Sequence, residues 1–220
     1  MKRVKDSMSQ SHQSYDTNYI EDYSKLIIIS YKTIASNNCS LYLEHTIQAI
    51  IEVFNRLSSS DSEASYQRPF FKLFTNLICD VTRKEYDIDN EKVLTFYCVL
   101  AKELQKIGPL NHPSFAFAWV ELISNKNFMP SLLERYEYWD LYYNILSCLL
   151  KFLREYITEE TLYSAEGEAY QCFYKGVLKL IIIIIHDFPD FLSAFSLQLC
   201  LLASPRFIQL NNMIISAYPK

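Results

Sequence analysis

The residues able to do chemistry in this 220-residue chain are few and scattered. Cysteines stand at 39, 79, 98, 148, 172 and 200, and none forms C-x-x-C. Zinc sites and compact disulfide frameworks need thiols at short spacing, so neither is expected. Several of the six fall in apolar stripes, where a free thiol packs as a small hydrophobe, and the pattern points to a reducing compartment. Asp87-x-Asp89 resembles the start of an EF-hand loop. Its glycine position holds Lys92, however, and its twelfth position holds Cys98 instead of a glutamate. His186 and Asp187 are adjacent, so on a helix their side chains are expected to diverge by about 100° and form no dyad. Glu159-Glu160 reads as a solvated first turn after Thr158, a candidate N-cap. A two-metal nuclease needs several carboxylates converging on one cleft, and nothing in the sequence suggests such a gathering. The phosphate-loop, dinucleotide, nucleophile-elbow and zincin motifs are missing from the sequence. No catalytic residue, metal ligand or cofactor is expected.

The aromatic residues offer a different chemistry. There are 17 tyrosines, and Tyr136, Tyr138, Trp139, Tyr142 and Tyr143 crowd together. Such a cluster suits a peptide-binding surface, because Tyr and Trp dominate interface hot spots. Any single member can equally pack between helices with its hydroxyl in reach of water.

The elements that position these groups read as helices. Three glycines are too few for a many-stranded β protein or a glycine-loop enzyme. With 21 Lys+Arg against 25 Asp+Glu, the chain lacks the positive charge of an autonomous nucleic-acid binder. Residues 1–14 are polar and expected to be disordered, and 15–220 to form a single helical domain. A ragged helix runs from about Tyr15 to Ala35, and Asn37-Asn38 breaks the chain. Leu43, Ile47, Ile50, Ile51, Phe54 and Leu57 share one helix face. The serine run from Ser58 to Ser62 is a loop. Pro69 suits the first turn of the next helix, and Asp87 or Asp89 caps the one after, which Gly108-Pro109 ends. Pro113 opens a helix to about Ile123. Leu132 to Tyr156 reads as one long helix with a short entry turn. Val177 to Ile185, with isoleucine at 181–185, is too short to span a bilayer and is expected to be a helix buried on all sides. Pro189 and Ser204-Pro205 open the last two helices. The sum is nine or ten helices and no strand, which fits stacked antiparallel pairs of the α-solenoid kind.

Two late blocks carry a resemblance. The first is His186-Asp187-Phe188-Pro189-Asp190-Phe191-Leu192. The second is Ile208-Gln209-Leu210-Asn211-Asn212-Met213-Ile214-Ile215-Ser216-Ala217-Tyr218-Pro219. They resemble the H-D-F-P-[ED]-F-L and I-Q-L-x-N-x-I-x-S-A-[FY]-P elements in the C-terminal homology domain of the large scaffold ("NOT-one") subunit of the CCR–NOT deadenylase complex. Upstream and in order, Tyr174-Lys175-Gly176-Val177-Leu178-Lys179 is similar to Y-K-G-x-L-[RK]. The block from Phe115 through Trp119 and Glu121 to Ser124 is similar to F-x-[YF]-A-W-x-E-L-I-S, and Tyr66-Gln67-Arg68-x-Phe70 to Y-Q-R-x-F. Residues 1–65 and 159–169 match nothing in the pattern. The family's scaffold is many times longer, so the chain is an excised domain or a short form.

The resemblance implies an all-α, HEAT-like stack without catalytic activity. It implies partners: a heterodimer of NOT-box subunits, short linear peptides of repressors bound to messenger RNA, and the rest of a longer scaffold. It implies no direct nucleic acid and no membrane. The expected role is support of deadenylation, mRNA decay and translational repression, in the cytoplasm including P-bodies and also in the nucleus. An RNA-binding helical repeat is the alternative. Partner contact is expected from Phe128, Met129, Tyr136, Tyr138 and Trp139. The motif residues Tyr66, Gln67, Arg68, Trp119, Glu121, Gly176, His186, Asp187, Phe188, Pro189, Gln209, Leu210, Asn212 and Pro219 are expected to be structural. Among them His186, Asp187 and Pro189 would set a helix corner, Trp119 a core, and Gly176 a tight helix crossing.

Overall fold

The computed structural model describes residues 2–34, 36–58, 67–162 and 167–217. Tyr66, Pro219 and most of the serine loop lie outside them. The described residues form helices and no strand, so the chain is all-α. It divides into two compact units, Met1–Leu100 and Ala101–Lys220, where the sequence reading expected one domain.

The first unit holds α1 (Lys2–Thr33), α2 (Ser36–Ser58), α3 (Gln67–Asp80), a 3-10 turn (Lys84–Tyr86) and the start of α4 (Asn90–Lys106). α1 begins well before Tyr15, since no proline or glycine precedes Thr33 to stop it. Asn37 and Asn38 do not break the chain; they lie in the first turns of α2, which begins at Ser36, while α1 ends at Thr33. The core joins Ile28 and Tyr31 of α1 to Leu43, Ile47 and Phe54 of α2 and Phe74, Leu77 and Ile78 of α3, all fully buried. Leu57, placed on the same face by periodicity, is 41% exposed at the fraying end of α2.

Polar contacts fasten α1 to its neighbours. Lys72 Nζ pairs with Glu21 at 2.7 Å and holds that carboxyl below the usual carboxylate range. Ser24 Oγ donates to buried Asp80 at 2.8 Å, and Arg83 Nε meets the other Asp80 oxygen at 2.9 Å. A buried carboxylate is tolerable only when so partnered. Tyr31 Oη donates to the Lys92 carbonyl at 2.7 Å. Lys92 Nζ in return reaches the carbonyls of Lys32 and Ile34, which no further helical turn satisfies. Of the two candidate caps for α4 the structure uses Asp89, whose Oδ1 accepts the Lys92 N–H at 2.8 Å. Asp87 instead closes the 3-10 turn with a left-handed φ of 47°.

The second unit holds the end of α4, a 3-10 turn (Pro113–Phe115), α5 (Ala116–Ile123), α6 (Phe128–Leu133), a 3-10 turn (Tyr136–Tyr138), α7 (Trp139–Tyr156), α8 (Glu159–Leu162), α9 (Gly167–Asp187), α10 (Pro189–Leu202) and α11 (Ile208–Ser216). Helices adjacent in sequence pack together: α5 with α6, α6 with α7, α8 with α9, α9 with α10, and α10 with α11. The long helix with a short entry turn expected between Leu132 and Tyr156 is α7, entered from the end of α6 through the 3-10 turn at Tyr136–Tyr138. Arg135 is extended (φ −122°, ψ 118°), and the Trp139 indole donates to the Leu133 carbonyl at 2.8 Å. That carbonyl is one that a continuing helix would have satisfied internally. The fully buried Trp119 does the same for α4, its indole N–H meeting the Leu104 carbonyl at 2.8 Å. Gly108 is a tight site for a side chain: an added Cβ would sit 3.1 Å from the Gln105 carbonyl oxygen, with the Trp119 ring at 3.9 Å.

α9 departs from the sequence reading in two ways. It buries Phe173, Val177, Leu180, Ile181 and Ile184 but leaves Ile182 54% and Ile183 41% exposed. Five consecutive isoleucines step about 100° each and so visit every side of the helix, while its packing against α5, α10 and α11 covers only part of it. By length and composition α9 passes as a membrane span, and a core helix of a folded unit passes the same test. Gly176 does not mark a tight crossing: a Cβ there meets nothing within 4 Å.

Candidate docking surfaces

The structure separates the aromatic residues expected to bind partners. Phe128 is fully buried and Met129 is 4% exposed, both in the core beneath α6. They are therefore removed from any accessible surface. Trp139 is half-buried, tied to Leu133 and set edge-on to Phe191 at 5.8 Å. Tyr142 is fully buried, and its hydroxyl donates to the Ile123 carbonyl at 3.0 Å. Burial pushes its phenol far above the usual tyrosine range, as it does for Tyr97. Tyr138 is partly exposed, and only Tyr136, at 75%, stands in solvent. Packing claims most of the cluster because the period that lines up a binding face also lines up a core face.

His186 and Asp187 do meet, Nδ1 to Oδ1 at 2.6 Å, contrary to the expected divergence. They occupy the last residues of α9, where the terminal side chain is free to fold back on its neighbour. Both are exposed. Among the described residues no three His, Cys, Asp or Glu side chains gather where a metal ion could be held. Cys79, Cys98, Cys148, Cys172 and Cys200 are in no disulfide, and burial pushes the thiols of Cys148 and Cys200 up.

Each unit carries concave surface. In the first unit, Tyr19 and Tyr23 of α1, Ile50 and Val53 of α2, and Phe70 and Leu73 of α3 line a cavity of about 410 Å³ whose described lining residues carry no charge. Tyr19 is 70% exposed at its edge. In the second unit a cavity of about 570 Å³ lies between α9 and the start of α11. Tyr174, Lys175 and Leu178 come from α9, and Arg206, Phe207 and Ile208 from the segment entering α11. The Tyr174 and Phe207 rings lie 5.2 Å apart, and burial raises the Tyr174 phenol. Arg206 is braced by Nε to Ser204 Oγ at 3.0 Å and by a terminal nitrogen to the Ile157 carbonyl at 3.3 Å. Another apolar surface, with Leu197 and Leu201 of α10 and Ile215 of α11 each more than half exposed, lies elsewhere on the second unit.

Residues 78–220 match the family model described as CCR4-Not complex component, Not1. The chain belongs to the Not1 family. It is 31% identical over 182 residues to general negative regulator of transcription subunit 1 of Schizosaccharomyces pombe, covering 82% of the chain and 8% of that protein. The Saccharomyces cerevisiae protein of the same name is 29% identical over 195 residues, covering 81% of the chain and 9% of that protein. The chain thus spans less than a tenth of these relatives' length. Among solved structures, the NOT1 superfamily homology domain from Chaetomium thermophilum superposes with a TM-score of 0.82 at 25% identity, over 99% of this chain and 43% of that one. A Not1 C-terminal domain in complex with Not4 superposes with a TM-score of 0.75 at 26% identity, over 91% of this chain and 42% of that one.

The motif residues of this Not1-family chain fall into two groups. Trp119 and Leu210 are fully buried. Phe188 and Pro189 form the α9–α10 corner: the Phe188 N–H reaches the Ile184 carbonyl at 2.8 Å, and Pro189 takes the first position of α10. Gln67 is partly exposed, and Arg68, Glu121, His186, Asp187, Gln209 and Asn212 are exposed, so packing does not account for them. Two motifs far apart in sequence, Tyr174-Lys175 and Ile208-Gln209, share one cavity wall. Each is visible in the sequence; their meeting is a product of the fold.

Proposed function

We propose that the chain is a non-catalytic docking domain of the CCR4-Not complex. It binds other subunits of that complex, the NOT-box heterodimer among them, and short peptides of mRNA-bound repressors. Through them it supports deadenylation, decay and translational repression of messenger RNA. The observation that carries this reading is the similarity to a Not1 C-terminal domain in complex with Not4. The cavities of both units and the exposed Tyr136 and Ile208 supply surface on which a peptide's apolar side chains can anchor. The work is expected in the cytoplasm, P-bodies included, and in the nucleus. The test is calorimetry of the purified chain with the NOT-box heterodimer and, separately, with Not4. Heat of binding at micromolar concentration is expected. Silence with both partners up to about 50 μM, a Kd weaker than roughly −6 kcal/mol of binding energy, overturns the proposal.

A further inference from the structure

We infer that the cavity between α9 and the start of α11 receives a protein segment carrying a carboxylate beside an apolar side chain. The inference rests on the docking reading above and names the chemistry of one site within it. Lys175 and Arg206 line the cavity, and among the described residues no acidic one does, although the chain as a whole carries a net charge of −4. Among the described residues neither cation is in a salt bridge. Arg206 uses two N–H donors to hold itself against Ser204 and Ile157. A guanidinium has five, so a fixed, partly unused fork faces whatever enters, the arrangement that suits a carboxylate.

The rest of the wall selects a peptide over a nucleic acid. Leu178 and Phe207 are 8% and 7% exposed and form an apolar floor, and Ile208 stands 68% exposed at the rim. A phosphodiester backbone would satisfy the two cations but leave these groups uncovered. A leucine or phenylalanine next to an aspartate or glutamate satisfies both. Gln171 and Gln209, also in the wall, can pair with the backbone of an extended segment. The volume lies within the roughly 300–1,000 Å³ of ordinary ligand pockets.

The test starts from a phage library of random 12-residue peptides selected on the whole chain. Recovered peptides are synthesised with a fluorescent label and titrated by anisotropy against wild type, Lys175→Glu, Arg206→Gln and Ile208→Ser. Lys175 is exposed and among the described residues makes no hydrogen bond, so its reversal leaves the fold intact, which circular dichroism checks. The expected peptides pair Asp or Glu with Leu, Ile or Phe and lose at least tenfold in affinity on Lys175→Glu. Changing their acidic residue to Lys restores binding to that variant. Recovery of neutral or basic peptides alone, or of acidic peptides indifferent to Lys175→Glu and Arg206→Gln, overturns the assignment. So does displacement by a 20-nucleotide poly(A) that shows the same sensitivity to the variants. If Not4 and the NOT-box heterodimer still bind wild type, such a result removes only this site; if they do not, the docking reading itself has failed.

Discussion

Gly176 and Gly108 lie in the same unit and should respond to alanine with opposite signs. Gly176 sits in the middle of the 21-residue α9, where glycine costs about 0.8–1.0 kcal/mol relative to alanine. Nothing lies within 4 Å of an added Cβ, so Gly176→Ala gains that amount with no steric charge against it. At Gly108 the new Cβ falls 3.1 Å from the Gln105 carbonyl oxygen, which also accepts the Gly108 N–H at 3.2 Å. Beyond it stand Cys148 at 3.8 Å and the Trp119 ring at 3.9 Å. Backbone cannot swing aside as a flexible side chain does, and overpacking of this kind costs about 1–3 kcal/mol. The smaller unfolded-state entropy of alanine returns about 0.4–1 kcal/mol, which leaves a net loss centred on roughly 1.3 kcal/mol and at most about 2.6 kcal/mol. Both tryptophans, Trp119 and Trp139, belong to the second unit, so intrinsic fluorescence follows its unfolding alone. With a urea slope of about 2 kcal/mol/M, the midpoint should rise by about 0.5 M for Gly176→Ala. It should fall by about 0.7 M, and by at most about 1.3 M, for Gly108→Ala. A loss of stability in Gly176→Ala, or equal shifts in the two variants, would refute the account of both sites.

Phe128→Ala should cost about 3–5 kcal/mol in the same assay, because the ring is fully buried, whereas Tyr136→Ala should change stability by less than about 0.5 kcal/mol. Equal effects would mean the two residues are not core and surface. Asp89→Ala should remove about 1 kcal/mol from the first unit by stripping the cap of α4, read by circular dichroism, since that unit has no tryptophan. Tyr97 and Tyr142 should resist alkaline titration at 295 nm until the chain unfolds. Burial favours the neutral phenol and raises both folded values above 10.0, so their contribution is complete below about pH 10 and lost as pH climbs beyond it. Two tyrosines ionising normally in the folded chain would contradict their burial.

The helical class was legible because apolar residues recur at helical spacing from Leu43 onward, and because prolines at 69, 113 and 189 stand at helix starts. The corner at Phe188-Pro189 was legible for the same reason. Boundaries were not legible where tertiary contacts decide them. Nothing local says that the Trp139 indole will take the Leu133 carbonyl and split a leucine-rich run, or that Asn37 and Asn38 will be absorbed into α2. Phe128 and Met129 were assigned to a surface because composition marks aromatic and sulfur side chains as sticky but does not say which face of α6 turns inward. The cavity beside Lys175 was illegible as a whole. It joins Ile157, Lys175 and Arg206, whose association is created only when α9 packs on α11.

α1 has a ragged apolar face, and a slip of one turn along its neighbours would move it by about 5.4 Å. The contacts of Glu21 with Lys72, Ser24 with Asp80 and Tyr31 with the Lys92 carbonyl forbid it. They are spaced along the helix and tie it to α3 and α4, and one slip would unmake all three at once. Asp80 would then be left buried with half its partners, a loss far larger than any one of these bonds is worth when made. The hydrophobic contacts hold α1 down, but it is these three pins that set its axial register.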